Sequence, residues 1–166
     1  QGRAGDLGAE FLENPLVRKI TFTGSTEVGK LLIRGAAEQV KPLSLELGGQ
    51  AACLVFSDAD FDQALAGVLA AKFRNTGQSC IAANRIYVHR AIYPQFLEAF
   101  TNRVCAMKVG DGFEEGVQIG PLIDAEGVRK ATEHVEDAVR RGARLLCGGG
   151  ALRERPGFLF APTVLA

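Results

Sequence analysis

Between Arg18 and Thr23 apolar residues alternate with threonine, which puts Ile20 and Phe22 on one face of a strand. Gly24 breaks the alternation. Ser25 or Thr26 then caps a helix running to about Ala37, with Glu27 near its positive end. Val28, Leu31 and Leu32 form its apolar side. A short strand follows from Leu43 to Glu46. Ala51 to Phe56 is an unbroken apolar run, the pattern of a strand buried on both faces. Asp58-Ala59-Asp60 opens a helix in which Phe61, Leu65, Val68, Leu69 and Phe73 recur at helical spacing. It ends near Asn75 to Gly77, so Cys80 falls in a loop. Arg85 to His89 reads as a strand. Ile92, Phe96, Phe100, Val104 and Met107 stripe the next helix, with Pro94 tolerated in its first turn. After a loop from Gly110 to Pro121, Val128, Ala131, Val135, Ala138 and Val139 mark a helix ended by Gly142. Strands at Arg144 to Cys147 and near Phe158 to Val164 flank a triple-glycine loop. Strand and helix alternate throughout, which predicts an α/β fold with a largely parallel sheet.

Composition narrows what such a fold does. With 166 residues and 47% hydrophobic content, the chain is long enough for a real core. Its 19 basic and 19 acidic residues balance, which gives no electrostatic surface for nucleic acid or membrane. No apolar run approaches the about 20 residues of a membrane span. The start, Gln1 to Gly5, lacks a methionine and the apolar segment of a signal peptide, as expected of a piece of a longer chain. Four cysteines are widely spread, without the spacing of a zinc site or a secreted disulfide framework. No metal is expected. Reduced thiols in a cytoplasmic setting fit, with Cys53, Cys105 and Cys147 as small buried apolar residues. His89 and His134, the two histidines, lack the context of a Cys–His protease pair.

Three motifs carry candidate chemistry. Gly24-Ser25-Thr26-Glu27-Val28-Gly29 opens a helix whose N–H groups and dipole favour a phosphate. It is neither a Walker loop nor a three-glycine dinucleotide fingerprint, and alone it is weak evidence. Glu46 ends a strand before Gly48 and Gly49, which let backbone approach a ligand closely. Read alone, that carboxylate is a solvated strand end. Cys80 closes Phe73-Arg74-Asn75-Thr76-Gly77-Gln78-Ser79-Cys80. A buried structural thiol is one reading, and an accessible nucleophile is the other. Arg74 is a solvated arginine or a carboxylate clamp.

Taken in order, these motifs resemble the aldehyde dehydrogenase superfamily. Phe-x-x-x-Gly-Gln-x-Cys resembles its nucleophile motif, Glu-Leu-Gly-Gly its general-base motif, and Phe-Thr-Gly-Ser-Thr-x-x-Gly its cofactor turn. Ile119-Gly120-Pro121-Leu122 and Phe160-Ala161-Pro162-Thr163 extend the likeness over almost the whole chain, which matches the middle of such an enzyme, roughly a third of the usual length. The resemblance implies an aldehyde-dehydrogenase-like α/β fold, with residues 1–46 ending the NAD(P)-binding domain and 47–166 forming most of the catalytic domain. It implies Cys80 as nucleophile and Glu46, 34 residues earlier, as base. It assigns Gly24, Ser25, Gly29, Leu47 and Gly48 to NAD or NADP. Lys72-Phe73-Arg74-Asn75-Thr76-Gly77-Gln78 looks like the succinate-semialdehyde dehydrogenase branch, where the arginine grips the substrate's distal carboxylate. Asn84-Arg85 and Asp111 to Gly116 add to that likeness. Ala82 stands where the branch often has a second cysteine, which argues against a local disulfide switch. Gln50 stands where the family more often has Lys or Asn. An asparagine of the oxyanion hole and the ribose lysine belong upstream of this chain. The implied activity is oxidation of succinate semialdehyde, or a similar ω-carboxy aldehyde, by a homo-oligomeric full-length enzyme. The isolated chain is expected to be incomplete and inactive. The competing readings are an inactive truncated homologue and an NAD-independent thiol esterase.

Overall fold

The computed structural model describes residues 2–166, which divide into two compact units meeting at Gly49 and Gln50. In the first, helix α1 (Ala4–Glu13) precedes strand β1 (Ile20–Thr23), helix α2 (Thr26–Ala36), a 3-10 turn and strand β2 (Leu43–Glu46). β1 and β2 pair in parallel, with Ile20 opposite Leu43 and Thr23 opposite Glu46. Ser25 caps α2, its Oγ accepting from the Val28 N–H at 3.3 Å. Leu32 and Ala36 carry the buried side of α2, and Ile20 is buried from β1.

Helix α1 has no counterpart in the sequence reading. Gly5 and Gly8 sit in its first half, where glycine weakens helix formation. It is held by tertiary contacts. Lys41 is buried, and its Nζ donates to the carbonyls of Phe11 at 2.9 Å and Asn14 at 2.8 Å. Those two bonds satisfy carbonyls that the end of a helix leaves unpaired.

The second unit contains β3 (Ala51–Val55), α3 (Phe61–Phe73), β4 (Ala83–Val88), α4 (Tyr93–Cys105), α5 (Ala125–Arg140), β5 (Leu145–Cys147) and β6 (Val164–Leu165). β3 and β4 are parallel, whereas β5 and β6 are antiparallel. The strands thus form three separate two-stranded sheets, β1–β2 in the first unit and β3–β4 and β5–β6 in the second, and two of the three are parallel. Asp60 caps α3 and Asp124 caps α5, each carboxylate accepting a backbone N–H three residues on. Val55, Leu65, Val68, Phe96, Phe100, Val104 and Val164 form the core. Phe96 meets Phe61 edge-on and stacks on Phe100.

Three expectations change here. β3 is not buried on both faces: Val55 faces the core, while Leu54 is 62% exposed and Phe56, just beyond, 61%. An apolar run does not itself specify what covers its second face. The last strand is confined to Val164 and Leu165, after an isolated bridge between Ala151 and Phe160. Pro162, which has no N–H to give a ladder, lies between them. Cys105, expected buried, is exposed at the end of α4.

Candidate active site

In the first unit, the candidate cofactor residues gather at the carboxyl ends of the two parallel strands, the usual ligand end of such a sheet. The Gly24 N–H donates to the Glu46 carbonyl at 3.0 Å, which joins the glycine turn to the base motif. Gly29 lies in the first turn of α2 against Leu47, and a Cβ there would stand 2.7 Å from Leu47 Cδ2. Gly48 is exposed, and the nearest atom to a Cβ on it would be Thr26 Oγ1 at 3.8 Å. Glu46, Leu47, Gly48 and the start of α2 are thus neighbours. A capped helix start beside open glycine backbone fits the pyrophosphate of a dinucleotide. Glu46 is exposed at the end of β2.

In the second unit, Cys80 is exposed in the loop between α3 and β4. Asn75 and Thr76 have φ of 52° and 57°, and Gly77 follows at 77°. Glycine accepts that backbone, but a β-branched threonine there is strained. Side chains hold the turn. Asn75 Nδ2 donates to the Gln78 carbonyl at 3.0 Å. Gln78 Nε2 donates to Thr76 Oγ1 at 2.7 Å and to the Pro121 carbonyl at 3.3 Å. The Ile119-to-Leu122 segment is thereby tied to the loop that presents the thiol.

Arg74, at the end of α3, is exposed and lines an open groove of about 420 Å³ with Leu69, Phe73, Arg103, Met107 and Gln118. Cys80 is not among the residues lining that groove. Arg103 escaped the sequence reading because it lies on α4, 29 positions from Arg74, with no motif around it. Lys72 entered that reading only as the first residue of a motif. Burial lowers its pKa, and its Nζ donates to Asn84 Oδ1 at 2.6 Å. The remaining thiols differ in environment. Burial and a hydrogen bond with Cys105 push the Cys147 thiol up to about 12, and its Sγ also lies 3.6 Å from the Pro162 carbonyl. Among the described residues, no cluster of His, Cys, Asp or Glu is arranged to hold a metal. No helix among them is long and apolar enough to cross a membrane.

Known proteins resemble this chain over almost its whole length. The chain is 52% identical over 164 residues to the succinate-semialdehyde dehydrogenase [NADP(+)] of Escherichia coli (strain K12), covering 99% of this chain and 34% of that one. It is 49% identical over 164 residues to the glutarate-semialdehyde dehydrogenase of Pseudomonas putida (strain KT2440), with the same coverage. The crystal structure of succinate-semialdehyde dehydrogenase from Burkholderia pseudomallei superposes with a TM-score of 0.94 at 46% identity, covering all of this chain and 34% of that one. The chain spans about a third of the length of these relatives. The model of the aldehyde dehydrogenase family matches residues 1–166, and the chain belongs to that family.

Proposed function

We propose that this chain is the central part of an NAD(P)-dependent dehydrogenase that oxidises succinate semialdehyde or a similar ω-carboxy aldehyde to the acid. The observation that carries the reading is Cys80, exposed in a loop that follows the strained turn from Asn75 to Gly77, which side chains of Asn75 and Gln78 hold. Residues 1–46 end the cofactor domain, and 47–166 are most of the catalytic domain. Gly24, Ser25, Gly29, Leu47 and Gly48 hold NAD or NADP, with the pyrophosphate at the start of α2.

The Cys80 thiolate bonds to the aldehyde carbon, and the carbonyl electron pair moves to oxygen. The Cys80 backbone N–H donates to that oxyanion. NAD or NADP, when bound, supplies the acceptor for the hydride that leaves the substrate carbon. The oxyanion then collapses to a thioester on Cys80. Glu46 takes a proton from water as the water oxygen attacks the acyl carbon. The carbon–sulfur bond breaks, and the acid leaves with the thiolate restored. Arg74 pairs with the distal carboxylate of the aldehyde, a bidentate match of guanidinium and carboxylate. The semialdehyde names of the relatives support that substrate class.

The test uses the longer dehydrogenase that contains this chain. Cys80→Ala abolishes both reduced-cofactor formation and ester hydrolysis. Glu46→Gln gives a burst of reduced cofactor and a trapped acyl-enzyme, because only deacylation stalls. Unaltered steady-state turnover in Glu46→Gln removes its role as base. Ester hydrolysis with no reduced cofactor at all moves the reading to a thiol esterase.

A further inference from the structure

Three side chains that the proposed chemistry leaves unused form a chain of hydrogen bonds in the second unit. Lys72 lies in the last turn of α3, and its Nζ donates to Asn84 Oδ1 at 2.6 Å. Asn84 stands near the start of β4, and its Nδ2 donates to Gln50 Oε1 at 2.7 Å. Gln50 directly precedes β3, and its carbonyl accepts from Arg85 NH2 at 2.6 Å. The end of α3, the start of β4 and the entry to β3 are therefore linked.

What these bonds enclose is the Cys80 loop. Lys72 and Asn84 are 12 residues apart, and Cys80 lies between them. One bond thus joins the two stems of that loop. The lysine also underlies the turn inside it. A Cβ on Gly77 would stand 3.0 Å from Lys72 Nζ and 3.1 Å from the Lys72 carbonyl. The left-handed Asn75 and Thr76 immediately precede Gly77. A strained backbone persists only where its surroundings over-determine it. Gln78 secures the turn from the Pro121 side, and Lys72 secures it from the stems.

We propose that Lys72, acting through Asn84 and Gln50, is a positioning residue that staples the stems of the Cys80 loop and holds the thiol in its reactive setting. This rests on Cys80 being the nucleophile. Lys72 itself touches no reacting atom in the scheme above. The role also gives Gln50, whose position has no part in the chemistry, a physical function as the anchor of the staple.

The test compares Lys72→Met, Asn84→Ala, the double variant and Lys72→Arg by amide hydrogen exchange and by iodoacetamide labelling of the folded chain. The reporters are the amides of Gln78 and Ala82, bonded to the Asn75 and Ser79 carbonyls inside the loop. Amides of α4 are the reference. Each single loss of the staple speeds loop exchange about tenfold and leaves α4 unchanged, as expected for one bond to a charged group. The double variant stays within about twofold of Asn84→Ala, because that variant already lacks the bond that Lys72→Met removes. Lys72→Arg keeps donors in place and stays within about threefold of the wild type. Cys80 labelling relative to Cys105 falls at least about threefold in Lys72→Met. Should Lys72→Met fail to fold, Asn84→Ala decides alone, since Asn84 is exposed and its loss leaves no cavity. Unchanged loop exchange, an equal rise in α4, or multiplying effects in the double variant would overturn the staple. If Cys80 is not the fastest thiol in the wild-type chain, the nucleophile reading falls instead, and exchange alone judges the staple.

Discussion

Replacing Gly77 by alanine tests whether the Cys80 loop is built as described. Gly77 has φ of 77°, a region that costs an L-residue roughly 1–2 kcal/mol. The new Cβ would meet the Lys72 carbonyl at 3.1 Å and Lys72 Nζ at 3.0 Å. The carbonyl is backbone and does not yield. The ammonium is held by Asn84 Oδ1 and yields only by giving up that bond. Crowding of this kind adds about 1–3 kcal/mol. Gly77→Ala is therefore expected to lose about 2–5 kcal/mol, a large fraction of the roughly 5–15 kcal/mol that holds a domain together. Gly67→Ala is the matched control. Gly67 is mid-helix in α3, exposed, with nothing within 4 Å of its Cβ position. There the same substitution gains about 1 kcal/mol from helix propensity alone. Urea unfolding followed by circular dichroism measures both. With a slope of about 1–3 kcal/mol per molar urea, the two midpoints separate by at least about 1 M, with opposite signs relative to the wild type. A Gly77→Ala midpoint equal to or above the wild type refutes the left-handed turn over Lys72.

Arg74→Ala in the longer dehydrogenase raises KM for succinate semialdehyde about ten- to hundredfold more than for an uncharged aldehyde of similar length, the scale of one charged hydrogen bond. An equal loss for both substrates makes Arg74 structural. Cys147 is the slowest thiol toward iodoacetamide at pH 8: with its pKa pushed up to about 12, roughly one molecule in 10⁴ is thiolate, against about a quarter for an ordinary thiol. Its thiolate fraction rises about tenfold per pH unit up to pH 11, and peptide mapping across that range shows the matching slope. The sign for stability follows: the folded thiol keeps its proton longer than the unfolded one, so its contribution is intact below about pH 8.5 and declines above it. Phe96→Ala loses about 3–5 kcal/mol by urea unfolding, because Phe96 is 2% exposed, stacks on Phe100 and meets Phe61 edge-on. A loss below about 1 kcal/mol means that the core is not centred there.

The parts of the fold written in local pattern were legible. Ser25 and Asp60 cap helices where the sequence signals a start, and the apolar stripe of α4 buries Phe96, Phe100 and Val104. What was not legible depends on partners distant in sequence. α1 is secured by Lys41 reaching Phe11 and Asn14 across 30 and 27 residues. The open face of β3 reflects what covers the sheet, which an apolar run does not encode. Cys80 and its loop were found by motif, yet the bonds that shape the loop reach Pro121 and Asn84. Lys72 entered the sequence analysis only as the first residue of a motif, because its position in sequence says nothing of Asn84.

The glycines of the first unit show how motif and function can be confused. Gly24 and Gly29 mark the cofactor turn in sequence, but side chains of the same unit already crowd both. A Cβ at Gly24 would stand 2.3 Å from the Phe22 ring, and one at Gly29 would stand 2.7 Å from Leu47. Substituting either disturbs the strand ends before any dinucleotide is considered, so lost cofactor binding in those variants does not separate a ligand role from a structural one. Gly48 is different. It is exposed, and its Cβ position is clear to 3.8 Å, so alanine there fits the protein and crowds only what approaches from outside. Of the assigned glycines, Gly48 is therefore the one where alanine separates a ligand role from packing, because no neighbouring atom comes closer than 3.8 Å to its Cβ position.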